Sequence, residues 1–208
     1  MGSSRPVGRP PAADSAETRQ RILQAARARF ARDGYRSTTN RLIADDVGIT
    51  SGAIYHYVES KSELYAAVYC ETIDEVYTEL EAASRGHDDL LGQFVAVMRR
   101  ACELQTEDPS VTGFLVAVAQ ETRRHPDLLE LLEPQLGRHA RFFSDLVTAA
   151  AERGELLPDV DRRALADLLG AVLTGLARMS ASVGDPLRYT AAVDVIERFF
   201  EGTLVRRS

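Results

Sequence analysis

The sequence predicts an all-α protein: three N-terminal helices that include a helix-turn-helix, followed by a helical bundle. Apolar residues recur at helical spacing along nearly the whole chain, and no segment shows strand alternation. Pro109, Pro126, Pro158 and Pro186 all fall between the periodic stretches, where a missing N–H costs least.

The elements follow in chain order. The opening "SSRPVGRPPAAD" is rich in Pro, Gly, Ser and Arg and cannot bury apolar surface, so residues 1–13 are expected to form a disordered basic arm. Order is expected from Asp14, where "DSAE" sets an N-cap acid three residues before Glu17. The helix that follows buries Ile22, Leu23, Ala26 and Phe30 and stops at Gly34. Thr39 then caps a short helix holding Leu42, Ile43 and Val47 that Gly48 ends, and a second short helix starts near Ser51. This pair leaves Ser51, Gly52, Ala53, His56 and Tyr57 outside, a small polar face able to approach base edges, while Ile54 and Val58 turn inward. The remaining helices are expected at 62–84, 88–107, 110–123, 127–153, 161–183 and 187–204. Domain limits of 14–60 for the DNA-binding unit and 61–208 for the body follow.

Composition narrows the function. At 208 residues, 45% hydrophobic and 27% charged, the chain can bury a real core. No run approaches the ~20 apolar residues that span a bilayer, and the N-terminus lacks the apolar centre of a secretory signal, so a cytoplasmic location without membrane contact is expected. Cys70 and Cys102 have no metal-ligand spacing and are expected as buried reduced thiols; no metal or cofactor is expected. The four histidines show no HExxH spacing, and there is no phosphate-cradling glycine loop or nucleophile elbow, which argues against an enzyme. Charge is divided unevenly: residues 1–61 hold 10 basic and 6 acidic side chains, net +4, against 15 and 25, net −10, in residues 62–208. A basic head on an acidic body fits a chain whose first part meets a polyanion.

The stretch "TTNRLIADDVGITSGAIYHYVESKSELYAAV", preceded by "FARDGYRSTT", resembles the tetracycline-repressor (TetR) family of bacterial transcription regulators. The resemblance covers residues 15–68 at motif level and only the helical layout beyond them. It implies a ligand-responsive regulator, a homodimeric repressor on a palindromic double-stranded operator, released by a small and mostly apolar effector. The alternative is an activator or global regulator whose body only dimerises.

By the same resemblance Thr39 donates to a phosphate while capping its helix, Tyr55 and Tyr57 offer hydroxyls to flanking phosphates, Thr50, Ser51, Ala53 and His56 face the bases, and Gly52 and Arg41 belong to the same surface. Lys61, the only lysine in the chain, matches a lysine that reaches a phosphate at the start of the fourth helix. Arg5 and Arg9 resemble a minor-groove arm. The last two helices form the dimer surface by resemblance, through Leu168, Ala171, Val172, Gly175, Met179, Ile196, Phe199 and Phe200. In the middle helices Phe94, Met98, Cys102, Phe114, Val118, His139, Phe143 and Met179 lie on apolar faces and are the candidates for lining an effector pocket.

Overall fold

A computed structural model describes residues 12–204, with side chains from residue 15 onward. All regular structure among the described residues is helical. The head consists of α1 (Ala12–Ser37), α2 (Asn40–Val47) and α3 (Ser51–Ile54). The body follows as α4 (Lys61–Ser84), α5 (Leu90–Glu107), α6 (Pro109–Arg124), α7 (Pro126–Leu136), α8 (Arg138–Glu152), α9 (Arg162–Val183) and α10 (Pro186–Phe200).

Local rules explain most boundaries. Thr39 accepts from Leu42 N to cap α2, Gly48 ends that helix in the left-handed region at φ 77°, and Thr50 accepts from Ala53 N to cap α3. Ser60, Asp89, Asp108, Asp161 and Asp185 cap later helices, and Pro109, Pro126 and Pro186 each occupy a first helical position.

Four boundaries differ from expectation. Helix α1 already includes Ala12, so Asp14 lies inside the helix instead of capping it. The stretch 127–153 is two helices that meet at Gly137, with Pro134 accommodated inside the first. Helix α3 has only four residues, after which His56 N and Tyr57 N bond to Ala53 O and Ile54 O in tight i+3 turns. Helix α10 stops at Phe200, short of residue 204.

In α1 the stripe Ile22, Leu23, Ala26 and Phe30 is buried, as is Ile54 of α3, whereas Val58 is only half-buried. Helix α4 occupies the middle, touching α1, α5, α6, α7 and α8. The head is keyed onto the body by α1 against α6, where Arg27 donates to Asp108 Oδ2 at 2.7 Å. Cys70 and Cys102 are free thiols, but each is half-buried; Cys102 lines a surface groove beside Pro186 and Thr190.

One helix departs from the membrane expectation: α9 is long and apolar enough to cross a bilayer by length and composition, with a mean hydropathy of 1.3. Its apolarity has another use, since Leu169, Leu173 and Leu176 enter the core while Leu168 remains half exposed. Gly170 belongs to the inner side. A Cβ there would lie 2.7 Å from His139 Nε2 and 3.2 Å from Phe143 Cδ2, so only glycine lets α9 approach α8 this closely. Gly175, by contrast, has open space where a Cβ would stand.

Gly170→Val should therefore lower the unfolding free energy by about 1–3 kcal/mol through overpacking. Urea denaturation at fixed protein concentration measures it, and an unchanged midpoint would contradict the close approach.

Candidate nucleic-acid interface and effector cavity

The head presents two neighbouring surfaces. On α3 and its flanks Thr50, Ser51, Gly52, Tyr55 and His56 are exposed, Tyr55 to 58%, while Ala53 and Tyr57 are half-buried. Tyr57 leans on the core, so its ring packs inward. A Cβ at Gly52 would meet nothing within 4 Å, which leaves the start of α3 open to close approach. Beside it a concavity is lined by Thr38, Thr39, Asn40, Tyr55, Glu59, Ser60 and Lys61. It unites three of the residues read as phosphate ligands: Thr39, Tyr55 and Lys61. Thr39 Oγ1 accepts from Leu42 N, which leaves its hydroxyl proton free to donate outward.

Lys61 has a second occupation that sequence reasoning missed. Its Nζ donates to Tyr35 O at 3.0 Å and Thr38 O at 3.2 Å and sits 4.3 Å from the centre of the Tyr35 ring. An ammonium has three donors, so one N–H remains for a phosphate. Burial lowers the pKa of Lys61, while the charges of Asp127 and Glu121 act to raise it.

Much of the basic charge of the head is already paired. Arg29 grips Asp46 through two bonds of 2.5 and 2.6 Å, Arg32 pairs with Asp33, Arg27 with Asp108 and Glu75, Arg19 with Glu71, and Arg21 donates to Val47 O. Among the described residues of the head, Arg36 and Arg41 are exposed with no ion pair, and Arg36 was not singled out from sequence. Its signal was available: an unpaired cation two residues before the Thr38–Thr39 rim. Arg5 and Arg9 lie outside the described residues.

The body holds a half-open cavity of about 320 Å³ walled by α4, α5, α6, α7, α8, α9 and α10. Of the residues read as pocket candidates, Val118 and His139 line it. Phe94, Met98, Phe114 and Phe143 are fully buried core, Met179 is half-buried against that core, and Cys102 faces the groove between α5 and α10. Tyr69, Ile73, Val76, Tyr77 and Leu80 of α4 supply a whole wall that periodicity alone did not single out. On this wall Tyr77 OH lies 2.5 Å from His139 Nδ1, and His139 also hydrogen-bonds the Gly170 backbone. With Nε2–H donating to the Gly170 carbonyl, Nδ1 accepts the tyrosine proton, so the ring links α4, α8 and α9. Burial lowers the pKa of His139 and holds it neutral, the Gly170 bond opposing that shift.

These features accompany clear likenesses. The family model for bacterial regulatory proteins of the tetR family matches residues 22–68, and the model for tetracyclin repressor-like C-terminal domains matches residues 85–197. The HTH-type transcriptional repressor Rv1474c of Mycobacterium tuberculosis is 29% identical over 182 residues, covering 88% of this chain and 92% of its own. The fatty acid degradation regulator FadR from Bacillus halodurans has the same fold with a TM-score of 0.77 at 17% identity, over 91% of this chain and 97% of its own. FadR from Bacillus subtilis, in complex with stearoyl-CoA, gives 0.70 at 18% identity, over 84% and 94%.

Lys61→Met should lower stability by about 1–3 kcal/mol, the worth of hydrogen bonds from a charged donor. It should also reduce the slope of log affinity against log salt by about one unit, whereas Arg41→Ala reduces the slope alone. A slope unchanged in Lys61→Met would confine that residue to the head–body junction. For His139 the folded pKa lies below its ordinary 6.5, so the unfolded chain binds the proton first. Its contribution is therefore complete above about pH 6.5 and lost as pH falls below that. The difference in unfolding free energy between wild type and His139→Gln should shrink from pH 7.5 to pH 5.5, as followed by denaturant titration.

Proposed function

The chain belongs to the tetR family of bacterial regulatory proteins, and from that premise we propose a homodimeric DNA-binding repressor that leaves a palindromic operator when a small, mostly apolar molecule fills the cavity of its body. The observation that carries this reading is the double role of α4. Its first residue, Lys61, holds the turn that orients the head, and its middle turns form one wall of the cavity.

On DNA, α3 would enter the major groove with Thr50, Ser51, Gly52, Ala53 and His56 toward the bases. Thr39, Arg41, Tyr55 and Lys61 would hold phosphates on either side, and the arm with Arg5 and Arg9 would follow the adjacent minor groove, while the inward-packed ring of Tyr57 supports α3 from behind. A molecule in the cavity that displaces α4 would pull the Tyr35–Thr38 turn and change the separation of two heads in a dimer. Operator and effector must then weaken each other's binding by one common factor. A body serving only for dimerisation would have no use for a cavity of about 320 Å³.

Dimerisation is supported by apolar surface left uncovered on α9 and α10. Leu168 is 50% exposed, Val195 48% and Phe199 66%, with Ala171 and Gly175 exposed between them. Val172, Met179 and Ile196 are half-buried beside this face, and Phe200 is 41% exposed with its ring 6.2 Å from that of Phe94. A twofold partner packed there would set two copies of α3 one helical turn, ~34–36 Å, apart on the duplex.

Selection of bound duplexes from a random DNA pool tests the whole reading: a two-half palindrome is expected, and recovery of no motif at low salt would overturn it. Gly175→Leu should convert the dimer to monomer and cost at least about tenfold in operator affinity through overpacking at the interface. Sedimentation velocity gives the answer, and an intact dimer would remove α9 from the contact.

A further inference from the structure

The cavity of the body is open on one side, and its lining residues show which side that is. Among them Ala119 on α6, Leu136 on α7 and Thr174 on α9 are exposed, while all the others are buried or half-buried. Helix α6 packs against both α7 and α9, so these three residues mark one rim.

Thr174 also belongs to a second feature. It lies three residues after Ala171 and directly before Gly175, and both of those are exposed. Residues three and four apart share one side of a helix, so Ala171 joins Thr174 and Gly175 to the ridge that starts at Leu168. That ridge is part of the uncovered apolar surface on which Leu168, Val195 and Phe199 stand out. Mouth and apolar face are therefore continuous across α9. Ala171 and Gly175 carry no side chain that would hold a neighbour away from Thr174, and a Cβ at Gly175 would meet nothing within 4 Å.

An apolar molecule in a half-open cavity keeps one side in water, and covering that side is favourable in proportion to its area. Regulators of the tetR family form dimers. A twofold partner seated on α9 and α10 would cover Ala171 and Gly175 and so reach across Thr174 between them.

We infer that the effector site is completed by the second copy of the chain, whose α9–α10 face closes the mouth beside Thr174 and covers the outer side of a small, mostly apolar effector. This rests on the dimer and the regulatory role proposed above. Effector binding and dimerisation then strengthen each other, as linkage requires. The molecule that loosens the hold on DNA tightens the hold of the protomers on one another, and the operator is released by reoriented heads in an intact dimer.

The test uses the full chain and N-phenyl-1-naphthylamine, a neutral apolar fluorophore, as the probe. The double variant Val195→Glu, Phe199→Asp puts two charges on the exposed face of α10, and neither residue lines the cavity. It should sediment as a monomer with an unchanged helical circular dichroism spectrum and bind the probe at least about tenfold more weakly than the wild-type dimer. Tenfold corresponds to about 1.4 kcal/mol, which at ~25 cal/mol per Å² needs only about 55 Å² of ligand surface to be covered. In the wild type, saturating probe should lower the dimer dissociation constant about a hundredfold, tenfold for each of two sites. That second measurement needs no variant and decides the matter even where the double variant does not fold. Equal affinity in monomer and dimer, or a dimer dissociation constant that the probe leaves unchanged, would overturn the shared site; if the probe still released the selected operator, the regulatory reading would stand. Dimer-linked binding without operator release would leave the shared site in place and count against the regulatory reading. A double variant that remains a dimer would overturn the α9–α10 face as the closure, and no probe binding by the wild type would overturn both.

Discussion

Everything in this molecule turns on how α1 ends. Gly34 adopts φ 76° and ψ 168°, a conformation readily open only to glycine, and kinks α1 three residues before its end at Ser37. Thr38 Oγ1 closes the turn onto Gly34 O at 2.9 Å, and the carbonyls of Tyr35 and Thr38 are left facing the ammonium of Lys61 at the start of α4. From the other side Glu121 of α6 accepts from Tyr35 N, while the Tyr35 ring packs on Phe30, Tyr65 and His125. Head and body thus meet through directed bonds around one residue. A compact ammonium fits over that ring and between two carbonyls, where a planar guanidinium fork would need different acceptors and more room. That is a physical reason for a solitary lysine among 24 arginines.

Helix α4 carries the consequence into the body. Tyr77 lies sixteen residues beyond Lys61, about 24 Å along a helix rising 1.5 Å per residue. At that depth it faces the cavity and bonds His139, which is itself held against Gly170 of α9. A rigid element with polar bonds at one end and a cavity wall near the other can connect two sites without any chain of intermediates.

Which parts were legible follows from the range of the forces involved. Caps at Thr39 and Thr50, the glycine stop at Gly48 and prolines at helix starts obey rules spanning three or four residues, and all could be read from the chain. The position of the helix-turn-helix and its exposed face were equally readable, because Ile43, Ala44, Val47 and Ile54 leave little choice about which side turns inward. The break at Gly137 was harder, since Pro134 is tolerated inside α7 and Gly137 keeps near-helical angles, φ −77° and ψ −8°. Pairing of the arginines of the head with Asp46, Glu71, Glu75 and Asp108 was invisible, because it joins residues 17 to 81 positions apart or crosses between helices.

The sequence by itself determined an all-helical chain with a basic DNA-reading head on an acidic body, since helical periodicity, capping and charge are written locally. Only the tertiary structure decided which apolar faces become cavity, core or uncovered surface. Phe94, Met98, Phe114 and Phe143 are as apolar as the residues that line the cavity, yet they fill the core, while five residues of α4 form the wall. In a bundle whose helices are apolar on more than one side, hydrophobicity says that a side chain is buried but not against what. That choice is made by close approaches such as Gly170 on His139 and by bonds that fix one helix against the next.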